Sequence, residues 1–233
     1  MLFIEDIRDE FARLRLSGKT VNGTLELIGE SFLASEASIF GQPNPDYIER
    51  ELDWYKSGSL NVNDIPGGAP RIWKQVATAE GLINSNYGFL FFDEGNDNQL
   101  ENVVRHLLAD IGTRRATAVY TRPSIHRQWN FDGMSDFICT NAVQYLIRNG
   151  KLHVIVQMRS NDIVFGFRND YAWHLFAQSV VISDLAANGV IVEPGPIVWH
   201  AASLHMYERH FWMLDHYIET GDPLPSLDLG RAA

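Results

Sequence analysis

The spacing of apolar residues predicts a chain in which helices and strands are mixed. Helices are expected where apolar residues recur every three or four positions, and strands where apolar and polar residues alternate. The first pattern covers residues 3–16, 46–56, 100–110, 170–185 and 207–220. The second covers residues 23–32, 116–120, 137–147, 152–159 and 197–203, with a turn at Asn149 and Gly150. This mixture indicates an α+β fold, in which a sheet carries helices against one face.

The strand predicted over residues 152–159 has two chemically different sides. One side is apolar and consists of Leu152, Val154, Val156 and Met158. The opposite side consists of His153, Ile155, Gln157 and Arg159. Because successive side chains of a strand point to opposite faces, the apolar side is expected to face the core. The other side is then available to line a cleft or an interface, and a second sheet stacking on it would bury Ile155.

The composition is that of an ordinary globular protein with an acidic surface. Of the 233 residues, 45% are hydrophobic and 21% are charged, and the formal net charge is −10. This charge argues against binding duplex nucleic acid through the general surface, but it is compatible with a small basic pocket for one phosphate. No apolar run is long enough for a membrane span, and we expect no signal peptide. A single cysteine excludes an internal disulfide and favours a reducing cytoplasm.

The segment spanning residues 136–173 concentrates the groups with catalytic potential. It contains the only cysteine, Cys139, then Arg159 and Ser160, and later Asp170. A thiol, a guanidinium and a titratable acid are the groups required for covalent chemistry on a phosphorylated small molecule. The plain alternative is that Cys139 is a buried small hydrophobic residue. A nucleophilic thiol needs a cation nearby to lower its pKa, and the strand ending at Arg159 supplies one if it pairs with the strand of Cys139.

Other polar residues are candidates with equally plain alternatives. Arg114 and Arg115 suit a phosphate, since a guanidinium fork fits its oxygens bidentately, or they are solvated surface cations. Glu51 lies in a predicted helix rich in large apolar residues, and the alternative is an ordinary solvent-facing carboxylate. His205 and Tyr207 have the spacing of a strand end that leads into a helix, so both can point to one site. A structural role is the alternative for the histidine.

These pieces, taken in order, resemble the thymidylate synthase family, and within it most closely the phage deoxycytidylate hydroxymethylases. The resemblance covers residues 19 to 216 or thereabouts. Its motifs lie at residues 23–29, 51–54, 71–73, 84–88, 114–115, 136–141, 159–162, 165–167 and 204–207. Two further segments, residues 120–124 and 166–173, are similar to the hydroxymethylase branch in particular.

The resemblance implies a thymidylate synthase-like fold with a single domain over residues 1–233. That fold has a mixed sheet with helices on one face, and a homodimer forms with sheet packed against sheet. The implied catalytic residues are Cys139 as the nucleophile, Glu51, Asp170 and His205. The implied substrate-binding residues are Lys19, Arg114, Arg115, Arg159, Ser160, Asn161, Asp170, His205 and Tyr207, with Arg114 and Arg115 reaching the phosphate in the partner's site. The residues implied around the folate are Ile72, Trp73, Tyr87, Asp162 and Gly166.

One departure from ordinary synthases concerns the base. Synthases carry asparagine where this chain has Asp170, and an asparagine amide suits the O4 and N3–H edge of uracil. Cytosine presents the reverse edge, with N4 as donor and N3 as acceptor. A carboxyl group accepts from N4 and, when protonated, donates to N3, so Asp170 indicates cytosine. Two other departures, Met158 in place of glutamine and Ile138 in place of proline, leave the nucleophile unchanged.

The implied reaction is one-carbon transfer from 5,10-methylenetetrahydrofolate to C5 of dCMP, followed by hydration, without a metal. The alternatives within the family are hydroxymethylation of CMP or dUMP, and methylation. A non-catalytic protein that binds a nucleotide or RNA is the alternative of another class. A cysteine hydrolase is disfavoured because no motif pairs Cys139 with a histidine and an acid. The implied location is the cytoplasm, which is the host's cytoplasm if the chain is encoded by a phage.

Overall fold

The structure, a computed structural model, describes residues 1–225. The helices are α1 (Ile4–Ser17), α2 (Pro45–Ser57), α3 (Arg71–Val76), α4 (Tyr87–Phe92), α5 (Gln99–Ala109), α6 (Ile125–Gln128), α7 (Gly166–Ala187) and α8 (Phe211–Thr220). The strands are β1 (Thr24–Leu33), β2 (Thr117–Val119), β3 (Thr140–Arg148), β4 (Lys151–Met158), β5 (Asn161–Asp162) and β6 (Glu193–Tyr207). Short 3-10 turns lie at Val62–Asp64, Glu94–Asn96, Phe131–Gly133 and Glu208–His210.

The chain divides into two compact units. Unit 1 consists of residues 1–44, residues 155–175 and the chain from residue 196 onward. Unit 2 consists of residues 45–154 and 176–195. The chain passes from one unit to the other just before α2 and within β4, α7 and β6. A single domain over residues 1–233 stays a prediction.

Unit 1 is built on strands β1, β6 and β4, in that order, and the short β5 also pairs with β6. β1 runs antiparallel to β6 and places Glu26 opposite His205, whereas β5 runs parallel to β6 and places Asp162 opposite His205. The apolar stripe formed by Ile4, Ile7 and Phe11 of α1 is fully buried, and α1 packs on β1 and α8. The aromatic core joins Phe32 and Phe167, with ring centroids 5.8 Å apart, and Phe167 also packs edge-on against Trp199.

Unit 2 contains strands β4, β3 and β2, in that order, together with helices α2 to α6 and the end of α7. β2 pairs antiparallel with β3. α4 packs against both α2 and α5. The approach of α4 to α2 requires glycine at position 88, because a Cβ there would lie only 1.6 Å from the carbonyl oxygen of Tyr55. This close packing fixes α2, which carries Glu51, against α4, which begins at Tyr87.

The predicted α+β class and the main elements are confirmed, including the turn at Asn149 and Gly150, where both residues have positive φ. The alternation in β4 is also confirmed, because Leu152, Val154, Val156 and Met158 are buried while the residues between them are more exposed. The stacking of a second sheet on that more exposed side stays a prediction.

Several boundaries differ from the prediction. β3 begins at Thr140 rather than at residue 137, because Asp136 is bonded to residues 84 and 85 instead of to a strand. α7 begins four residues earlier than predicted, since Asp162 accepts hydrogen bonds from the backbone amides that lead into it. β6 continues to Tyr207, so the last helix starts at Phe211 instead of at residue 207. α3, α4 and α6 are too short to show a helical period, and the sequence pattern did not predict them.

Candidate active site

Cys139 lies immediately before β3, between two anchored residues. On one side, the Asp136 carboxylate accepts hydrogen bonds from the backbone amides of Asn84 and Ser85 at 2.7 and 2.8 Å. On the other side, Thr140 donates a hydrogen bond of 2.9 Å to the hydroxyl of Tyr87. All five of these residues are buried. The backbone that carries the cysteine is therefore held at both ends by buried polar contacts, which limits the motion of its thiol.

The thiol of Cys139 is only partly buried. Its Sγ lies 3.7 Å from the carbonyl oxygen of Phe137, in the geometry of a weak S–H donor. A partly exposed thiol on a fixed backbone is accessible to a small molecule, whereas a fully buried cysteine is normally inert. The structure therefore does not favour the alternative of a purely structural cysteine.

Glu51 is the most deeply buried of the predicted catalytic acids, with 4% of its surface exposed. It lies on α2, and its Oε1 accepts a hydrogen bond from the hydroxyl of Tyr47, one helical turn earlier. Trp73 of α3 donates its indole N–H to the same oxygen at 3.0 Å. Burial raises the pKa of Glu51, and the hydrogen bonds from Tyr47 and Trp73 oppose that rise. Glu51 is thus a carboxyl group whose pKa is displaced toward neutrality, as a general acid or base requires.

Asp170 lies in the first turns of α7 in unit 1. Its Oδ2 accepts a hydrogen bond of 2.7 Å from the side-chain amide of Asn161, which is the first residue of β5. Gly166 lies beside this pair, because a Cβ at that position would meet the Asn161 amide nitrogen at 3.2 Å and Oδ2 of Asp170 at 3.7 Å. The absence of a side chain at position 166 keeps the space beside both polar groups open.

Asp162 has a structural task that its sequence motif did not reveal. Its carboxylate accepts hydrogen bonds from the backbone amides of Val164, Phe165 and Gly166, at 3.2, 3.0 and 3.4 Å. A carboxylate that binds the amides before a helix satisfies donors that have no partner within the helix and stabilises its positive end. Asp162 therefore sets the start of α7, and through it the place of Asp170.

His205 and Tyr207 form the end of β6, as predicted for this pair. Their rings meet edge to face with centroids 5.1 Å apart, and the Arg209 guanidinium lies over the Tyr207 ring at 4.2 Å. Burial lowers the pKa of His205, and the carboxylates of Asp162 and Glu26 oppose that effect. A neutral imidazole at the strand end is suited to hydrogen bonding with a hydroxyl group or a water molecule.

The predicted phosphate-binding cations differ in exposure. Lys19, Arg114 and Arg115 are exposed, whereas Arg159 and the adjacent Ser160 are half-buried at the end of β4. Arg114 and Arg115 lie in the segment before β2, where Gln144 of β3 binds the carbonyl oxygen of Arg114 at 2.9 Å. This hydrogen bond holds the backbone, and both arginine side chains are exposed.

The structure also reveals groups that the sequence did not single out. Tyr47 is the main example, because a tyrosine one helical turn before a glutamate gives no signal that it differs from an ordinary core residue. The anchoring role of Asp136 is the second example, since its partners Asn84 and Ser85 are distant in sequence. Within residues 1–225, no cluster of histidine, cysteine and acidic side chains is arranged to hold a metal ion. No helix in the same part of the chain is long and apolar enough to cross a membrane.

Comparison with known proteins identifies the family. A model of the family described as thymidylate synthase matches residues 44–233. This chain belongs to the thymidylate synthase family. The predictions of this family and of its fold are therefore confirmed.

Relatives within the family extend the similarity. The chain is 51% identical over 206 residues to the deoxycytidylate 5-hydroxymethyltransferase of Enterobacteria phage T4, which covers 88% of this chain and 84% of that protein. The protein of the same name from Enterobacteria phage T2 matches equally well. A thymidylate synthase of Francisella tularensis subsp. holarctica is 23% identical over 197 residues, covering 79% of this chain and 69% of that protein.

A solved structure supports the fold independently. Thermostable thymidylate synthase A from Bacillus subtilis superimposes with a TM-score of 0.68, over 96% of this chain and 86% of that chain, at 21% identity. At this identity the likeness concerns the fold alone. The thymidylate synthase fold is thus present although four of five residues differ from that synthase.

Proposed function

We propose that this chain transfers a one-carbon unit from 5,10-methylenetetrahydrofolate to C5 of dCMP with hydration, which gives 5-hydroxymethyl-dCMP and tetrahydrofolate. The observation that carries the proposal is the 51% identity to phage deoxycytidylate 5-hydroxymethyltransferases over 88% of the chain. Because those relatives are encoded by phages, we place the reaction in the cytoplasm of an infected bacterium.

Asp170 is proposed to read the cytosine edge. Its carboxyl group accepts from N4 and, in the protonated form, donates to N3. The hydrogen bond that Oδ2 accepts from Asn161 supports this role, because it orients the plane of the carboxyl group. An asparagine at position 170 would also accept this hydrogen bond. A synthase that uses dUMP needs the opposite pattern at this edge.

Cys139 is proposed to supply the nucleophile. Its thiolate adds to C6 of the pyrimidine, the electron pair of the C5–C6 double bond moves to C5, and C5 then bonds to the one-carbon unit. Loss of the C5 proton and departure of tetrahydrofolate leave an exocyclic methylene on the pyrimidine ring. A water molecule adds its oxygen to that methylene and loses a proton, after which the C6–S bond breaks and the thiolate is released. The atoms added to dCMP are then those of CH₂O, and the folate is not oxidised.

Glu51 and His205 are proposed to hold and move protons at the water. Glu51 is suited to accept the proton that the attacking water loses, since burial raises the pKa of this carboxyl group. His205 is suited to a neutral hydrogen-bonding role, because burial lowers its pKa. The folate is proposed to contact Ile72, Trp73, Tyr87, Asp162 and Gly166. Ile72 is 59% exposed, so its side chain is accessible to a co-substrate. Any residue larger than glycine at position 166 would fill the space beside Asn161 and Asp170. Both observations support the proposed folate contacts.

The phosphate is proposed to bind Arg159, Ser160 and Lys19, with Arg114 and Arg115 contributed by the partner subunit of a homodimer. The exposure of both arginine side chains on a fixed backbone supports a role outside their own chain. Tyr207 and His205 are proposed to hold the sugar hydroxyl, and Asn161 to complete the contacts to the nucleotide.

The release of tritium from [5-³H]dCMP tests this proposal. The label should appear in water in step with the product when 5,10-methylenetetrahydrofolate is supplied, because the C5 proton leaves after the one-carbon unit has bonded. Replacement of Cys139 by Ala is the control and should abolish the release. No release of tritium with the folate present would contradict the proposal.

A further inference from the structure

The carboxylate of Glu51 is held asymmetrically. Both hydrogen bonds that it accepts, from Tyr47 and from Trp73, end on Oε1. Within residues 1–225, no side chain or backbone group donates to Oε2. The indole of Trp73 also donates to the hydroxyl of Tyr47 at 3.0 Å, so the three groups form a closed triangle. One carboxylate oxygen is thus fixed by the protein and the other is left for a reactant.

The two donors favour the charged form of Glu51. A carboxylate with 4% exposure loses most of its hydration, which favours the neutral acid, and hydrogen bonds to the anion oppose this effect. Tyr47 is suited to be a permanent donor, because burial and the charge of Glu51 raise its pKa. An indole N–H is a donor only, so the hydrogen bond from Trp73 cannot reverse.

Few other charged groups act on this triangle. On α2, the Arg50 guanidinium lies 5.4 Å from the centre of the Tyr47 ring and opposes the rise in the pKa of that hydroxyl. α3 contributes Trp73, which does not titrate. From α4, the phenol of Tyr87 stacks on another tyrosine of α2, with centroids 5.4 Å apart. The protonation of Glu51 is therefore governed by burial and by its two donors.

We propose that Tyr47 is a positioning residue. Its hydroxyl donates to Oε1 of Glu51, which keeps the carboxylate deprotonated and directs Oε2 toward the water consumed in the reaction. This inference rests on the proposed hydroxymethylation, in which a water molecule must lose a proton as it attacks. The family resemblance assigned no role to Tyr47, and it is the geometry of the triangle that points to one.

The competing explanation is that Tyr47 only packs. Its ring contacts Arg50, and phenylalanine would preserve that contact and the fill of the core. The hydroxyl alone distinguishes the two explanations, because only the hydroxyl affects the charge of Glu51. Tyr47→Phe is therefore the informative change, and the dependence of kcat on pH is the informative measurement.

The first experiment compares the pH profiles of kcat for Tyr47→Phe, Glu51→Gln, the double variant and the unchanged protein. In Tyr47→Phe the acidic limb should move to higher pH by about one unit or more, since the anion has lost a donor. The loss of kcat should be greatest at low pH and shrink on the alkaline plateau, with KM for dCMP changed less than about twofold. Added to Glu51→Gln, the change at Tyr47 should alter kcat by less than about twofold, because the two groups act as a unit.

A matched control removes a different buried phenol hydroxyl. Tyr145 is fully buried in unit 2, and its hydroxyl has no hydrogen-bond partner among the described residues. Tyr145→Phe should leave the acidic limb where it is. Trp73→Phe removes the second donor to Oε1 and should move the limb in the same direction as Tyr47→Phe, which keeps the test decisive if one variant folds poorly.

A second readout needs no turnover. The infrared carboxyl band of Glu51, obtained as the difference between the unchanged protein and Glu51→Gln, should titrate at a higher pH in the Tyr47→Phe background. If this midpoint stays in place, or if kcat falls equally at every pH, the positioning role is wrong. If the unchanged protein makes no hydroxymethyl product, the proposed function fails, and the infrared titration still decides the role of Tyr47.

Discussion

The two units hold their candidate catalytic acids in different ways. In unit 1, Asp170 is half-buried and accepts its hydrogen bond from the amide of Asn161, within a segment rich in polar side chains. In unit 2, Glu51 is almost fully buried and accepts from a phenol and an indole. Amide and carboxyl groups side by side suit the recognition of a polar edge, whereas a desolvated carboxylate suits proton transfer. The difference supports the proposals that Asp170 of unit 1 reads the base and that Glu51 of unit 2 moves protons.

The largest expected effect concerns Cys139, the proposed nucleophile in unit 2. Cys139→Ala should lower kcat by more than about a thousandfold, because a residue that forms the covalent intermediate has no substitute. Binding of dCMP, measured by calorimetry, should be nearly unchanged, since the proposed phosphate and sugar contacts belong to other residues. A variant that keeps more than about a thousandth of kcat would show that Cys139 is not the nucleophile.

A second effect concerns His174, a titratable residue of unit 1 that is buried, as Glu51 is in unit 2. Burial lowers the pKa of His174 to about 3, while an unfolded histidine titrates near 6.5. A depressed pKa means that the unfolded chain binds the proton first, so the native state loses stability as the pH falls from about 6.5 toward 3. The loss is up to about 1.4 kcal/mol per pH unit. Urea unfolding at several pH values should show a shallower slope for His174→Phe, and parallel slopes would contradict the effect.

A third effect concerns the proposed recognition of the base by Asp170. Asp170→Asn should move the ratio of kcat/KM for dCMP over dUMP by at least about tenfold toward dUMP, because a mismatched buried hydrogen-bond pair costs about 1–3 kcal/mol. The variant should keep its melting temperature, since Asn161 can donate to an amide oxygen as it does to a carboxylate. Both substrates should be assayed with the same preparation. An unchanged ratio would remove Asp170 from base recognition.

The smallest expected effect concerns Arg114 and Arg115. One variant is Cys139→Ala and the other lacks both arginines. After the two are unfolded and refolded together, the mixture should recover about a quarter of the activity of the unchanged protein. Random pairing gives about half heterodimers, and each would contain one site with an intact cysteine and intact partner arginines. Mass measurement must confirm that heterodimers are present. No recovery in their presence would mean that the arginines do not serve the partner's site.

The sequence predicted the parts of the fold that have a strong period. The alternation in β4 and the apolar stripe of α1 are properties of consecutive residues, so they are visible without the structure. The start of β3 was predicted too early because Asp136 binds residues about fifty positions away. Short helices such as α4 depend on close packing against α2, which only the structure reveals.

The candidate site likewise has features that the sequence predicts and features that only the structure reveals. The motif around Asp170 indicated cytosine because a single substitution reverses a hydrogen-bonding pattern. Neither donor to Glu51 was predicted, since the resemblance places Trp73 near the folate and gives Tyr47 no role. A tyrosine four residues before a glutamate is common in helices, and its importance depends on burial and on a third residue from α3.

The mass of the product distinguishes hydroxymethylation of dCMP from the alternative reactions. The protein is incubated with 5,10-methylenetetrahydrofolate and with dCMP, CMP or dUMP in parallel, and the nucleotides are analysed by mass spectrometry. We expect that dCMP gains CH₂O and that tetrahydrofolate accumulates without oxidation to dihydrofolate. A gain of CH₂ would show methylation with hydride from the folate. A preference for dUMP or CMP over dCMP would contradict the assigned substrate.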